Sequence, residues 1–109
     1  MNDNESALSL HRSNDGDRVV LNAAGEIDSS NCGSLEALLG SIASERATPA
    51  VDIDLGEVTF IDSSGLRALI VGQRAIAKAG GTLRITSASS SVRRLFEITG
   101  LAGQLGLVS

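Results

Sequence analysis

Apolar and polar residues alternate along four stretches of the chain, and this period of two is typical of β-strands. The stretches are residues 7–12, 18–24, 51–61 and 82–86. Asn14-Asp15-Gly16 lies between the first two, and Asp-Gly is typical of a tight turn between antiparallel strands. We expect Gly56 and Glu57 to interrupt the third strand, because they break its alternation. The pattern therefore predicts an opening antiparallel hairpin followed by two further strands.

Three other segments repeat their apolar residues every three or four positions, the period of an amphipathic α-helix. The first helix is predicted around residues 35–42, the second over residues 64–79 and the third over residues 92–99. Residues 28–31 offer several N-cap side chains for the first helix. Glycines follow the second and third helices, as is common where a helix ends.

The order of these elements is strand, strand, helix, strand, helix, strand, helix, and residues 105–108 are expected to add an edge strand. Strand–helix–strand units require parallel pairing, whereas the hairpin is antiparallel. The predicted fold class is therefore α/β, with a mixed β-sheet of about four to five strands and helices packed mainly on one face. We expect one domain over residues 7–109, after a disordered N-terminus of residues 1–6.

The second predicted helix has an apolar face and a basic face. The residues expected to point inward are Leu66, Leu69, Ile70, Ile76 and Ala77. Gln73 falls in the middle of that inward face, where a polar side chain is unusual. Arg67, Arg74 and Lys78 form a basic stripe on the opposite side, with Val71 between them. Such a stripe is either a solvated face or, because Val71 is apolar, part of a surface that binds a partner.

A polar turn, Asp62-Ser63-Ser64-Gly65, separates the third strand from the second helix. Its position at a helix N-terminus places hydroxyls beside unpaired backbone N–H groups and the positive end of the helix dipole. One interpretation is helix capping, for which Ser and Asp are preferred residues. The other is a phosphorylation switch, since a helix N-terminus can hold a phosphate. The spacing alone leaves both interpretations open.

The composition argues against several classes of function. A net charge of −4, with Phe60 and Phe96 as the only aromatic residues, disfavours nucleic-acid binding, which needs basic surfaces and stacking side chains. No apolar run is long enough to span a membrane, and the polar N-terminus is unlike a signal peptide. The single Cys32 is expected to be a small buried residue rather than a redox group. Together these features predict a cytoplasmic protein.

The sequence offers little for catalysis or metal binding. His11, the only histidine, is expected on the surface of the first strand, far in sequence from Ser63, so no pair of nucleophile and base is indicated. Cys32 and His11 together cannot make a zinc site. Asp52 and Asp54 share one face of the third strand and are either partnered polar residues or a metal or acid–base pair. We therefore predict no enzyme activity, no cofactor and no metal.

Three motifs give the chain a resemblance to a known family. They are Gly25-Glu-Ile-Asp28, Val58-Thr-Phe-Ile-Asp-Ser-Ser-Gly-Leu66 and Val92-Arg-Arg-Leu-Phe-Glu-Ile-Thr-Gly-Leu101. With these motifs in this order, residues 7–108 resemble the anti-sigma factor antagonists, the bacterial single-domain members of the STAS family. The fold that this resemblance implies, a mixed sheet with helices packed against it, agrees with the fold predicted from the pattern.

The resemblance implies a partner-switching role in transcription, as in a stress response. In this family the unphosphorylated protein binds an anti-sigma factor that is also a serine kinase, and a sigma factor is released. The kinase phosphorylates the first hydroxyl residue after the motif aspartate, which by position is Ser63 rather than Ser64, and a phosphatase reverses the step. The partner-binding residues expected from the motif match are Asp28, Asp62, Ser63, Ser64 and Gly65, and the basic face of the second helix adds Arg67 and Val71.

The chain departs from the family pattern at Asp52 and Gln73, where apolar residues are expected, and in a tail that ends soon after Leu101. Other roles remain open. One is a STAS subunit that is not phosphorylated and supports a transporter or a stress-signalling complex, and another is a protein that binds nucleotide. Self-association into a weak homodimer is open as well.

Overall fold

The strands and helices follow one another in the order predicted from the sequence. The structure is a computed structural model that describes residues 7–101, 103, 105 and 106. The strands are β1 (Leu8–Asp15), β2 (Arg18–Ile27), β3 (Ala50–Ile61) and β4 (Thr82–Ala88). The helices are α1 (Cys32–Glu45), α2 (Ser63–Lys78) and α3 (Ser90–Thr99). The disorder expected for residues 1–6 lies outside the described residues.

The described strands form one mixed sheet in the order β1-β2-β3-β4. β1 pairs antiparallel with β2 through a tight turn, in which Gly16 has a φ of 63°. β2, β3 and β4 run parallel to one another, because helices α1 and α2 carry the chain back between them. The predicted fold class, an α/β fold with a mixed sheet and an opening antiparallel hairpin, is confirmed.

The alternation along β3 separates a buried face of the sheet from an open face. Val51, Ile53 and Leu55 are fully buried, and they share one core with apolar residues of all three helices. Asp52 and Asp54 are only partly buried, on the opposite face. The helices therefore cover the apolar side of the sheet, as the pattern predicts.

A β-bulge, rather than a break, lies where Gly56 and Glu57 disturb the alternation. The two residues of β3 between Asp54 and Glu57 lie opposite the single residue of β2 between Asn22 and Ala24. The Asp54 carboxylate accepts a hydrogen bond from the Gly56 N–H at 2.8 Å, so this amide is paired within its own strand. β3 therefore continues through the bulge, and the expected interruption is wrong.

Asp52 lies on the open face at the centre of an ion-pair network that joins three strands. Its carboxylate accepts hydrogen bonds from Arg18 of β2 at 2.9 Å and from Arg84 of β4 at 3.1 Å. The hydrogen bonds from Arg84 are the largest cause that holds the pKa of the Asp52 carboxyl below its usual value, and the charge of Arg18 adds to them. Asp52 is thus a partnered polar residue, so this strand position does not need an apolar side chain.

Helix α2 buries most of its predicted apolar face. Leu66, Leu69 and Ile76 are buried, and Ile70 is partly buried against the same core. Ala77 is exposed, so its expected inward position is wrong. Ala77 is turned outward because of the way α2 packs against α1.

The contact between α1 and α2 passes through Gly72. This glycine is buried, and a Cβ at its position would lie 2.2 Å from Leu39 Cδ1 of α1. Because no side chain intervenes, the two helices approach closely on a line through Gly72 and the buried Ala68. That line leaves Gln73 at the half-buried margin of the face and turns Ala77 towards solvent.

The described part of the C-terminal segment forms a turn instead of the expected edge strand. Leu105 is fully buried in the core. Gly106 has a φ of 69°, and its carbonyl accepts a hydrogen bond from the Ile85 N–H of β4 at 3.0 Å. The edge strand expected over residues 105–108 is therefore wrong at Leu105 and Gly106, and its last two residues lie outside the described part of the chain.

Candidate functional site

β2 and β3 end side by side at one edge of the sheet. Ile27 and Ile61 are register partners, and the Asp62 N–H donates to the Ile27 carbonyl at 3.2 Å. The chain that follows β2 and the chain that follows β3 therefore lie together. We define these two segments, residues 28–31 and 62–65, as the strand-end edge. It unites the first two motifs of the sequence.

Gly65 lets helix α2 start close to the ends of both strands. A Cβ at this position would lie 2.7 Å from Ile27 Cγ2 and 2.8 Å from Ile61 Cγ1, which is closer than packed side chains can approach. The glycine is itself buried. Of the predicted partner-binding residues, Gly65 is therefore the one that acts as an internal spacer of the strand-end edge.

Asp62, and not a serine, caps helix α2. Its carboxylate accepts a hydrogen bond from the Gly65 N–H at 3.0 Å, and its backbone is extended as an N-cap requires. Ser63 is the first residue of the helix and is exposed, whereas Ser64 is half-buried. The capping interpretation therefore applies to Asp62, and the Ser63 side chain is available at the surface.

The loop after β2 gives Asp28 a fixed environment. Its carboxylate accepts hydrogen bonds from the Ser30 hydroxyl at 2.6 Å and from the Ser30 N–H at 3.0 Å. These bonds, the hydroxyl first, hold the pKa of the Asp28 carboxyl below its usual value. Asp28 is thus charged at neutral pH, beside the start of α2.

The basic stripe of α2 extends away from the strand-end edge. Arg67, Arg74 and Lys78 are exposed, and Val71 is half-buried among them. Arg67 lies one helical turn beyond Ser63, so it is the member of the stripe nearest to Ser63 along the helix. The predicted partner-binding residues other than Gly65 thus lie either in the strand-end edge or on α2 between Ser63 and Val71.

Phe60 is a surface residue beside the strand-end edge that the sequence pattern does not indicate. Its side chain is 49% exposed, although Val58, two residues earlier on β3, is fully buried. A second register shift explains the difference, because Gly25 pairs with Val58 and Glu26 pairs with Phe60, which leaves Thr59 unpaired. Alternation alone would place Phe60 in the core.

The remaining candidate residues lie away from this edge or have partners of their own. His11 is exposed on β1, as predicted. Cys32 is a free cysteine at the start of α1 and is partly rather than fully buried. The pair Asp52 and Asp54 binds arginines and a backbone amide, which supports the interpretation as partnered polar residues. Within residues 7–101, 103, 105 and 106, no cluster of three or more metal-ligating side chains is present.

Comparison with known sequences identifies the family. The family profile described as "Mlab, STAS domain" matches residues 10–109. The chain belongs to the STAS domain family. A curated STAS relative from Bacillus subtilis, named anti-sigma-B factor antagonist, is 35% identical over 83 residues, which cover 76% of this chain and 74% of the relative. A relative of the same name from Listeria monocytogenes is 31% identical over 88 residues, covering 81% of this chain and 76% of the relative.

Solved structures place the same fold in other STAS proteins. An anti-sigma factor antagonist from Mycobacterium paratuberculosis superposes with a TM-score of 0.80 at 27% identity, over 92% of this chain and 84% of the other. SpoIIAA, an anti-sigma factor antagonist solved in its unphosphorylated form, gives 0.77 at 20% identity, over 93% and 89%. The second likeness shows the fold alone. Among the described residues of this STAS chain, no helix has the length and apolar character to cross a membrane.

Proposed function

We propose that this STAS protein is an anti-sigma factor antagonist whose activity is switched by phosphorylation at Ser63. In the unphosphorylated form it binds an anti-sigma factor with serine kinase activity, and a sigma factor is released for transcription. The kinase phosphorylates Ser63 and ends the binding, and a phosphatase restores it. The protein itself acts by binding rather than as an enzyme, and it works in the cytoplasm.

The observation that supports this proposal best is the separation of Ser63 from the helix cap. Asp62 satisfies the Gly65 N–H, so the fold does not need the Ser63 hydroxyl as a cap. Ser63 is exposed at the first position of α2, where a kinase can reach it. Ser64 is less accessible, which favours Ser63 as the acceptor.

A phosphate at Ser63 is compatible with the fold but not with a close interface. It adds about −1.5 to −2 charges at neutral pH, and the helix N-terminus stabilises negative charge. Docking of a partner onto the strand-end edge would, however, remove water from this dianion beside Asp62 and Asp28. A loss of about 3 kcal/mol in binding free energy corresponds to more than a hundredfold in Kd.

Affinity measurements on Ser63 variants test this mechanism. We expect Ser63→Ala to bind the anti-sigma factor as tightly as the unmodified protein and Ser63→Glu to bind it at least tenfold more weakly, about 1.4 kcal/mol. Isothermal titration calorimetry with the purified anti-sigma factor provides the two values. Equal affinity for both variants and for the phosphorylated protein would contradict the switch.

Intact-mass spectrometry of the protein from its own host tests the modification directly. We expect one phosphate, mapped to Ser63, and its loss in Ser63→Ala. The matched control is Ser64→Ala, which keeps the neighbouring acceptor and should still gain the phosphate. An unmodified Ser63 in every growth phase and stress would instead favour a constitutive binding subunit of a transporter or a stress-signalling complex.

Phe60 extends the proposed docking surface. A phenylalanine that is half exposed beside the strand-end edge belongs to the aromatic residues that are enriched at the core of protein interfaces. We expect Phe60→Ala to weaken binding of the anti-sigma factor at least tenfold, about 1.4 kcal/mol, with little change in stability. Ile98→Ala, which removes the 74% exposed side chain of α3, is the control and should leave the affinity unchanged. The same loss in both variants would argue against a specific role for Phe60.

A further inference from the structure

Asn31 is the only buried polar residue in the described part of the chain, with 4% of its surface exposed. Its side-chain amide makes two hydrogen bonds. The Oδ1 atom accepts from the Asp28 N–H at 3.0 Å, and the Nδ2 atom donates to the Glu26 carbonyl at 2.9 Å. A buried amide that loses such partners is costly, so the two bonds favour one conformation of the loop after β2.

Helix capping does not explain this residue. Asn31 directly precedes α1, but its side chain makes no hydrogen bond to the first turn of that helix, which lies entirely among the described residues. Both bonds instead run backwards along the chain, to Glu26 and Asp28. The side chain therefore holds the loop against the end of β2. The start of α1 is held by the backbone N–H groups of Asn31 and Cys32, which donate to the Asp28 carbonyl.

The loop that Asn31 closes is in direct contact with the start of α2. Ile27 lies between the two residues that the Asn31 amide binds, its carbonyl accepts from the Asp62 N–H, and its Cγ2 atom lies against Gly65. The same loop carries the Asp28 carboxylate with its two bonds from Ser30. The loop is thus in contact, through Ile27, with Asp62 and Gly65, which lie on either side of Ser63 and Ser64.

We propose that Asn31 is a positioning residue for the phosphoacceptor Ser63, because its side-chain amide holds the Asp28 loop against the start of α2. This inference rests on the proposed function and adds a determinant of how the kinase recognises Ser63. Asn31 does not touch the phosphoacceptor itself. It sets the placement of Asp28 and Asp62, the two carboxylates that an approaching kinase meets beside the hydroxyl.

Two variants separate positioning from stability. Asn31→Ala removes both hydrogen bonds, and Asn31→Asp keeps the acceptor for the Asp28 N–H but loses the donor to the Glu26 carbonyl. Ile85→Val is the control, since it truncates a fully buried side chain of β4, which is not adjacent to β2, and destabilises the fold without touching the loop. All proteins are used at a temperature at which thermal melts show them fully folded.

The first readout is an NMR titration of the Asp28 carboxyl group, with the amide resonances of Ser63 and Ser64 recorded in the same samples. We expect both Asn31 variants to change the Asp28 pKa, upwards in Asn31→Ala, and to shift the two serine resonances, whereas Ile85→Val changes neither. A folded Asn31→Ala protein with an unchanged Asp28 pKa and unchanged serine resonances would overturn the proposal. If Asn31→Ala does not fold, Asn31→Ser takes its place, because a serine adds no charge that would by itself change the Asp28 pKa.

The second readout is the steady-state kinetics of Ser63 phosphorylation by the ATP-dependent anti-sigma kinase. We expect Asn31→Ala to raise KM about tenfold with little change in kcat, because recognition and not chemistry is altered. If Ser63 is phosphorylated with the same KM in every variant, Asn31 has no positioning role. The proposed function would remain supported in that case. Absence of phosphorylation in the unmutated protein would contradict the proposed function, and the NMR titration would still test Asn31.

Discussion

At the scale of single residues, Gly65 shows that the strand-end edge has no room for a side chain at the start of α2. We predict that Gly65→Ala lowers the free energy of unfolding by roughly 1–3 kcal/mol, because the new Cβ would overlap Ile27 and Ile61. Urea denaturation measures the change. Gly33→Ala, also in the first turn of a helix but with nothing within 4 Å of its Cβ, is the control and should be neutral or stabilising.

The sequence predicts the turn at Asp62-Ser63-Ser64-Gly65 but not the part each residue plays. Asp and Ser are about equally good N-caps, so propensity cannot choose between Asp62 and the serines. The choice depends on where β3 ends against β2, a contact between residues that are far apart in sequence. Asn31 is a similar case, since an N-cap residue type lies in a cap position but binds the preceding loop instead.

At the scale of whole elements, substituting alanine for two glycines in helix interiors should change the free energy of unfolding in opposite directions. A Cβ added to Gly40 of α1 would meet nothing within 4 Å, whereas a Cβ on Gly72 of α2 would lie 2.2 Å from Leu39 Cδ1. We predict that Gly40→Ala raises the free energy of unfolding by about 0.5–1 kcal/mol, the usual gain in helix propensity. We predict that Gly72→Ala lowers it by roughly 1–3 kcal/mol, because Leu39 must move.

Thermal or urea denaturation of the two variants tests this pair. Helix propensity by itself would make both substitutions stabilising. Changes of opposite sign in the free energy of unfolding would therefore show that the contact between α1 and α2 determines the effect at Gly72. Stabilisation by Gly72→Ala would show that the helices can separate at little cost. Gly72→Ser should be at least as destabilising as Gly72→Ala, since it adds a further atom to the same contact.

The periodicity of the sequence predicts the order and type of the strands and helices because apolar residues repeat with the period of each element. It fails where one element adjusts to another. Ala77 has the right spacing to point inward, but Gly72 sets the line of contact and turns Ala77 outward. Likewise Phe60 has the alternation of a core residue, but the unpaired Thr59 reverses its face.

At the scale of the whole molecule, the Asp52 network joins β2, β3 and β4 on the open face of the sheet and makes stability depend on pH. The pKa of the Asp52 carboxyl is lowered in the folded protein, so its contribution is complete above the unfolded pKa of about 3.9 and is lost as the pH falls through the folded value. We predict that Asp52→Asn lowers the free energy of unfolding by roughly 1–2 kcal/mol at pH 7, since Arg18 and Arg84 lose a charged acceptor.

Urea denaturation between pH 2 and pH 7 (roughly the window in which carboxylates titrate) measures this effect. The difference between Asp52→Asn and the unmutated protein should narrow as the pH falls below the unfolded value. Asp15→Asn, which changes an exposed carboxylate at the end of β1, is the control and should parallel the unmutated protein. A constant difference at every pH would mean that the Asp52→Asn substitution perturbs packing and that the network contributes no pH dependence.

The sequence predicts the overall architecture and the location of the candidate site. It does not predict which side chains are exposed at that site. Parallel pairing brings the ends of β2 and β3 together, so the residues that follow them, Asp28 and Asp62, lie at the same edge of the sheet. The residues that complete the surface depend on bulges and buried hydrogen bonds, which periodicity does not encode. The proposed partner surface therefore includes Phe60, a residue that alternation alone would place in the core.

Because Asp62 and not Ser63 caps helix α2, a phosphate on Ser63 should leave the fold in place and change its stability only by the modest effect of negative charge at a helix N-terminus. The two forms of the protein should then have similar resistance to proteolysis and similar lifetimes in the cell. Under the proposed function, a change of signal would not need new synthesis or degradation of the protein. The ratio of the two forms would follow the competing rates of kinase and phosphatase, and the same molecules could be used through many cycles.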